Sequence, residues 1–294
     1  MACATHLQTR YAHLAKNHPC LGRAPNKGRL HLPVSPYCNI KCRFCTRRFN
    51  RTENRPGVAQ QILPADRAVE IVGRALALCP ELSVVGVAGP GDSLASDHAL
   101  RVFSALRARF PMLLGCLSTN GLMLPDLADD IARAGVRSVT VTVNGVDPAV
   151  TARIVEKIVW QGRTLRGEEA ARILIERQCL GIRRLTALDV LVKINTVLIP
   201  EHNGDHIGRI AQVCAELGAS IFNVIPLIPQ GDLAHLAPPD CGELSEARAA
   251  AEVFLPVFRH CQHCRADACG VLGKTDVSDR LYEDLHCENT FSHG

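Results

Sequence analysis

A chain of 294 residues, 47% of them apolar, can bury one large core, and none of its apolar runs approaches the roughly 20 residues of a membrane span. The net charge of +4 is small and dispersed without a basic tract, which argues against nucleic acid as a partner. Fourteen cysteines in irregular positions point to metal ligation in a reducing compartment, not to a disulfide framework, and the mixed polar start, Met1 to Lys16, has no signal-peptide pattern; a cytoplasmic, low-oxygen setting away from membranes is expected.

Residues 1–30 are polar and irregular and contain His18-Pro19-Cys20. After them, short segments rich in Val, Ile and Leu alternate with amphipathic stretches. The pattern predicts a strand at His31–Pro36, a helix at Pro64–Ala77, a strand at Val84–Ala88 and a helix at His98–Arg109. It continues with a strand at Leu113–Ser118, a helix at Pro125–Ala134, a strand at Ser138–Val143 and a helix at Glu168–Gln178. A strand at Leu191–Leu198, a helix at His206–Leu217 and a strand at Ser220–Ile225 complete it. Strands this uniformly apolar are buried on both faces, and alternating β and α implies a parallel sheet with right-handed crossovers. The expected fold is therefore α/β, a partial (β/α)6 barrel at 31–228 with an N-terminal extension at 1–30 and a C-terminal extension at 229–294. In the latter, a Pro-rich loop (Pro226 to Pro239) and a helix (Glu243 to Arg259) lead into Cys261-Gln-His-Cys264. In such barrels the site lies at the C-terminal ends of the strands.

The first strand feeds the run Cys38-Asn-Ile-Lys-Cys42-Arg-Phe-Cys45. Three closely spaced thiolates can hold three corners of a [4Fe–4S] cluster and leave one iron open to a small molecule. A closed zinc site would want four ligands, usually as two separated pairs. The Cys-x3-Cys-x2-Cys spacing, with Phe44 before the last cysteine, resembles the signature of the radical S-adenosylmethionine (radical SAM) enzymes. That resemblance implies a cluster whose open iron chelates SAM, and reductive cleavage of SAM to a 5′-deoxyadenosyl radical. Polar groups recur at the same ends of the other strands: Gly89-Pro90-Gly91-Asp92, Ser118-Thr119-Asn120-Gly121, Thr142-Val143-Asn144 and, within a strand, Lys193-Ile194-Asn195. Together they predict a lined pocket. Asp92 can accept a hydrogen bond from an ammonium group. The Cys261-x2-Cys264 pair has no second pair to make a zinc ribbon and reads as additional iron–sulfur ligation.

Further segments resemble one family within that superfamily. His18-Pro19-Cys20, His31 to Cys42, Glu53-Asn-Arg55-Pro56-Gly57-Val58, Ala88 to Asp92, Cys116-Leu-Ser-Thr-Asn-Gly121, Val143 to Asp147 and His260 to Asp267 look like NifB, the nitrogenase cofactor maturases, in a short form without the appended carrier-like domain. The resemblance implies an enzyme of SAM-dependent methyl transfer and radical carbide insertion, lyase-like in class. It fuses two further [4Fe–4S] clusters, as substrates, with a SAM-derived carbide and an added sulfur into an [8Fe–9S–C] precursor. It implies cluster donors, a cofactor carrier or scaffold protein and an electron donor as partners. On that basis Cys38, Cys42 and Cys45 hold the SAM cluster. Phe44, Gly89, Asp92, Asn120, Thr142, Asn144, Ile194 and Asn195 contact SAM. Cys261, Cys264, Cys116, His18 and Cys20 serve the substrate clusters, and Glu53 and Arg55 manage protons or position substrate. One departure stands out: such chains usually carry another Cys before the Arg-Pro-Gly-Val segment, and Thr46 to Glu53 has none, with Asn50 and Arg51 in that stretch. A radical SAM enzyme acting on an organic substrate with an auxiliary cluster, and a non-enzymatic scaffold, are the rival readings.

Overall fold

Each apolar run becomes a strand, and the period of two along each strand decides which side chains face inward. The structure is a computed structural model that describes residues 10–22 and 24–283. The strands are Gly28–His31 (β1), Leu82–Val87 (β2), Leu114–Thr119 (β3), Val136–Thr142 (β4), Leu191–Leu198 (β5) and Ile221–Pro226 (β6). They lie side by side in chain order, all parallel, and Cys269–Val271 adds an antiparallel strand on the free edge of β1. Helices Ala68–Leu78, His98–Arg109, Leu124–Arg133, Gly167–Ala187 and Ile207–Glu216 make the crossovers. This is the expected α/β partial barrel. Leu30, Val85, Leu117, Val139, Val141, Val192, Ile194, Phe222 and Val224 join the core under the helices. Their sequence neighbours turn the other way: Arg29, His31, Gly86, Cys116, Ser138, Thr140, Lys193, Asn195 and Asn223 line a cavity on the concave face. Among the described residues no helix is long and apolar enough to cross a membrane.

Several elements differ from the sequence expectation. The first strand ends at His31 instead of beginning there, because Pro33 and Pro36 have no N–H to continue a ladder. The helix expected at Glu168–Gln178 runs on to Ala187, and the one expected at Glu243–Arg259 spans Cys241–Glu252, ending shortly before Pro256. A hairpin absent from the prediction, Val155–Trp160 with Arg163–Arg166, turns at Gln161 and Gly162, both at positive φ (51° and 73°). It pairs antiparallel with Ile40–Cys42, setting Lys41 opposite Lys157 and Cys42 opposite Val155, so the cysteine loop is itself a sheet edge.

The C-terminal segment is fastened to the loop that follows Cys45. The Arg265 guanidinium binds both oxygens of Asp267, at 2.8 and 3.0 Å, and donates to the backbone oxygens of Glu53 at 2.5 Å and Asn50 at 2.6 Å. Asp267 in turn accepts the Gln60 N–H at 2.5 Å. The Arg265 and Asp267 side chains are 10% and 1% exposed, so removing one leaves the other buried and unpaired. Asp267→Ala should therefore cost about 3–5 kcal/mol in denaturant unfolding under anaerobic conditions. A loss below about 1 kcal/mol would show that the edge strand Cys269–Val271 holds the segment by itself.

Candidate functional site

The concave face encloses a cavity of about 360 Å³, in the size range of ligand sites. Its mouth is formed by the cysteine loop. Gly91 makes the loop's path possible: its N–H donates to the Ser35 carbonyl at 2.7 Å, and a Cβ on it would stand 2.0 Å from the Tyr37 oxygen. The Asp92 N–H donates to the same Tyr37 oxygen at 2.7 Å. Further along, Arg43 N bonds Ile154 O at 2.9 Å, and the Arg43 carbonyl receives the Asp232 N–H at 2.8 Å. Cys38, Cys42 and Cys45 all line the cavity, with Cys45 the most exposed of the three, and none is in a disulfide. Burial pushes the Cys38 thiol up to about 12, with the Asp92 carboxylate adding to it. Burial also raises Cys42 and Cys45, the latter against the pull of Arg47 and Arg55. Such thiols give up their protons to a metal and not to water, so loading the loop with iron releases protons.

The residues expected around SAM divide into four groups. Phe44, Asn120, Thr142, Asn144 and Asn195 line the cavity. The Asn120 Nδ2 lies 3.9 Å from Cys38 Sγ and donates to Asn39 Oδ1 at 2.7 Å. Asn144 Oδ1 accepts the Val197 N–H at 2.9 Å, which ties the end of β4 to β5. Asp92 lines the cavity but its oxygens are engaged: they accept from Leu94 N at 2.9 Å, Thr119 Oγ1 at 3.0 Å and Asn120 N at 2.5 Å. It ties two strand-end loops together. Gly89, across a cis bond to Pro90, faces Ala266, which stands 3.4 Å from where a Cβ would be; the cavity wall there is Pro90 and Gly91. Ile194 is fully buried in the core on the opposite face, because its neighbours Lys193 and Asn195 take the inward positions.

Deeper in, Cys20, Cys116, Cys261 and Cys264 line the same cavity, together with His18, His31, Arg29 and Lys193. The thiols feel one another. Cys116 is pushed up to about 12 by burial first and then by Cys20; Cys20 is raised by burial, with Lys193 and Arg29 opposing and Cys264 and Cys261 adding. Among the described residues no three His, Cys, Asp or Glu side chains converge on the position of one metal ion; these groups are spread over the cavity wall. The two histidines, His18 buried and His31 half-buried, differ in their free nitrogen. His18 Nδ1 accepts the Cys20 N–H at 3.2 Å, so its proton sits on Nε2, a buried donor without a partner. His31 Nδ1 instead lies 2.9 Å from the Arg265 carbonyl, to which it can only donate, and this leaves the Nε2 lone pair free. Burial, helped by neighbouring cations, lowers His18 to about 3 and His31 to about 4, so both rings are neutral near pH 7.

Sequence reasoning passed over His31 as a site residue, although it stands in the quoted His31-Leu-Pro segment. It also passed over Asn223, whose Nδ2 donates to Asn195 Oδ1 at 3.0 Å and whose Oδ1 is buried without a partner. A lone Asn in an otherwise apolar strand, as at Asn195, was the available signal. Arg55 is 9% exposed and lines the cavity; it binds Glu53 at 2.6 Å and the Thr46 carbonyl at 2.6 Å, fastening the end of the cysteine loop. Glu53 lines a neighbouring open hollow with Ile228 and Gln230. Asn50 turns its Oδ1 onto the N–H groups of Thr52 at 3.1 Å and Glu53 at 2.7 Å, an Asx turn in the stretch that lacks the cysteine.

The radical SAM superfamily profile matches residues 32–214. Relatives from Methanocaldococcus infernus and Methanocaldococcus jannaschii, both named FeMo cofactor biosynthesis protein NifB, are 39% and 40% identical over 284 and 280 residues. Those alignments cover 95% and 94% of this chain and 94% and 93% of the relatives. A Klebsiella pneumoniae protein of the same name is 42% identical over 88% of this chain, which spans 58% of that protein. Among solved structures, a radical SAM methyltransferase from Sphaerobacter thermophilus superposes with a TM-score of 0.57 at 17% identity, over 80% of this chain and 66% of that one. Streptococcus suis SuiB does so with 0.54 at 15% identity, over 97% and 57%. These two report the fold.

The close approach at Gly91 gives a direct check. Gly91→Ala should displace the Ser35–Tyr37 segment and with it Cys38, so the purified protein loses its radical SAM cluster signal in electron paramagnetic resonance while far-UV circular dichroism stays unchanged. Full retention of that signal would show that the loop tolerates the shift.

Proposed function

The chain belongs to the radical SAM superfamily and, within it, to the NifB family of FeMo cofactor biosynthesis proteins, and from that membership we propose that it fuses two [4Fe–4S] units, a SAM-derived carbide and an added sulfur into the [8Fe–9S–C] precursor of the nitrogenase cofactor. The observation that carries the reading is the single cavity that holds both thiol sets, Cys38, Cys42 and Cys45 at its mouth and Cys20, Cys116, Cys261 and Cys264 within. An organic substrate would not call for four further thiols around it.

The residues fit the cofactor that the family implies. Three thiols on one loop, without disulfides and without carboxylate competitors beyond the already engaged Asp92, form a donor set suited to iron. Bound there, a [4Fe–4S] cluster supplies an open iron to chelate SAM and the electron to cleave it. Asn120, Thr142, Asn144 and Asn195 offer polar contacts to SAM along the strand ends, and the orphaned Asn223 oxygen offers an acceptor beside Asn195. Gln178 holds the ends of β3 and β4 together by donating to the carbonyls of Asn120 at 2.6 Å and Thr142 at 3.0 Å, which keeps those contacts in register. Cys20 and Cys116, with the free Nε2 of His31, are the donors for one substrate cluster; Cys261 and Cys264 serve the other. His18 accepts the Cys20 N–H and sits beside that donor set. Arg55 fixes the loop, and Glu53 holds Arg55. Incomplete thiolate ligation suits clusters that must leave as product.

Anaerobic reconstitution tests the whole. The protein should bind iron well beyond four atoms per chain, cleave SAM and release a product that activates cofactor-free nitrogenase; iron limited to one cluster with SAM cleavage intact would favour the organic-substrate reading instead. Cys42→Ala should abolish 5′-deoxyadenosine formation, and surviving cleavage would sink the assignment of the loop. The Cys261→Ala, Cys264→Ala double variant should lose iron yet still bind SAM at the remaining cluster. Asn50→Cys should slow the loss of the labile cluster to a chelator, at the cost of the Asx turn; an unchanged rate would show that the ligand is already replaced.

A further inference from the structure

Of the buried cations among the described residues, two are paired, Arg55 with Glu53 and Arg265 with Asp267. Two are not. Lys193 on β5 is 5% exposed and Arg29 on β1 is 6% exposed, both side chains face the cavity, and neither forms an ion pair with a carboxylate among the described residues. Lys193 Nζ donates to the Cys20 carbonyl at 3.0 Å and sits 3.9 Å from the centroid of the Phe258 ring. Arg29 gives Nη1 to the Gly270 carbonyl at 2.8 Å and Nη2 to Cys264 Sγ at 3.4 Å, and its Nε is buried without a partner. A carbonyl and a ring face orient an ammonium but supply only part of the solvation that water gave it. A buried cation left this way favours an anion brought in beside it.

We propose that Lys193 and Arg29 form a cationic clamp for an anionic iron–sulfur unit held among the inner thiols, Lys193 beside Cys20 and Arg29 on Cys264. This rests on the reading that those thiols receive substrate clusters. A cluster ligated by thiolates is net negative, and charge around it sets both how firmly it is held and its reduction potential. Lys193 and Arg29 are positioning residues: they favour the loaded and the reduced forms of the cargo without ligating iron.

The test compares reconstituted wild type with Lys193→Met, Lys193→Arg and Arg29→Gln. Iron per chain, the rate of iron loss to a ferrous chelator, redox titration of the cluster signals and SAM affinity are measured on each. Lys193→Met keeps the length and removes the charge. It should lose the iron beyond the radical SAM cluster about tenfold faster, and the midpoint of that iron should move to lower potential. The radical SAM cluster signal and SAM affinity should stay at wild-type values, and Lys193→Arg should restore the wild-type rate. Arg29→Gln should act in the same direction. The radical SAM cluster signal is the control for folding, and if Lys193→Met lacks it the decision passes to Arg29→Gln. Extra iron held at the wild-type rate and potential in the variants would overturn the clamp alone. So would loss of SAM affinity with the extra iron retained, since the cation would then serve SAM. Wild type that binds only four irons would overturn the functional reading and the clamp with it.

Discussion

The buried Arg265–Asp267 pair is the contact on which the site depends. It ties Cys261 and Cys264, far along the chain, to the Asn50–Gln60 loop that follows the first cysteine motif. The same segment delivers the Arg265 carbonyl to His31 Nδ1 and so decides which nitrogen of that ring faces the cavity. One guanidinium therefore sets a chain path and a histidine tautomer together. A planar, always charged fork is suited to this, because it can bind a carboxylate on two oxygens and still donate to two carbonyls.

A second constraint is electrostatic. The cavity gathers groups that are costly to bury: thiols raised by burial, neutral histidines and two cations without a carboxylate partner among the described residues. The proposed iron–sulfur cargo would ease each of them. Iron would displace thiol protons, an imidazole lone pair would find a metal, and the cations would meet net negative charge. The one carboxylate at the wall among the described residues, Asp92, is turned onto backbone and hydroxyl donors and so is not a competitor for iron. A site dominated by sulfur ligands, with its oxygen anion engaged elsewhere, selects a soft metal unit over a hard cation.

Much of this was legible along the chain. Alternating apolar runs and amphipathic stretches carry the parallel sheet and its crossovers, and the strands at Leu191–Leu198 and the helix at His98–Arg109 lie where the pattern puts them. The spacing of Cys38, Cys42 and Cys45 carries the loop's chemistry, because ligands this close in sequence need no distant contact to meet. The hairpin at Val155–Arg166 escaped because charged residues (Glu156, Lys157, Arg163, Arg166) interrupt its apolar ones and its signal is a two-residue turn, Gln161-Gly162, with only one glycine.

By itself the sequence determined local things: where apolar periodicity demands strands, where proline stops them, and which thiols sit within one loop. The tertiary structure decided everything that depends on facing or on distance along the chain. Ile194 falls in the core and Asn223 in the cavity because a strand shows alternate residues to opposite faces, and register against neighbouring strands selects the face. His31 in place of His18 has the free nitrogen because a carbonyl brought in from the C-terminal segment takes its other one. Asp92 became a tie between loops because its burial next to Leu94, Thr119 and Asn120 leaves no oxygen to spare. Sequence records which groups a chain owns; only packing decides which of them meet, and meeting is what gives a buried charge or lone pair its use.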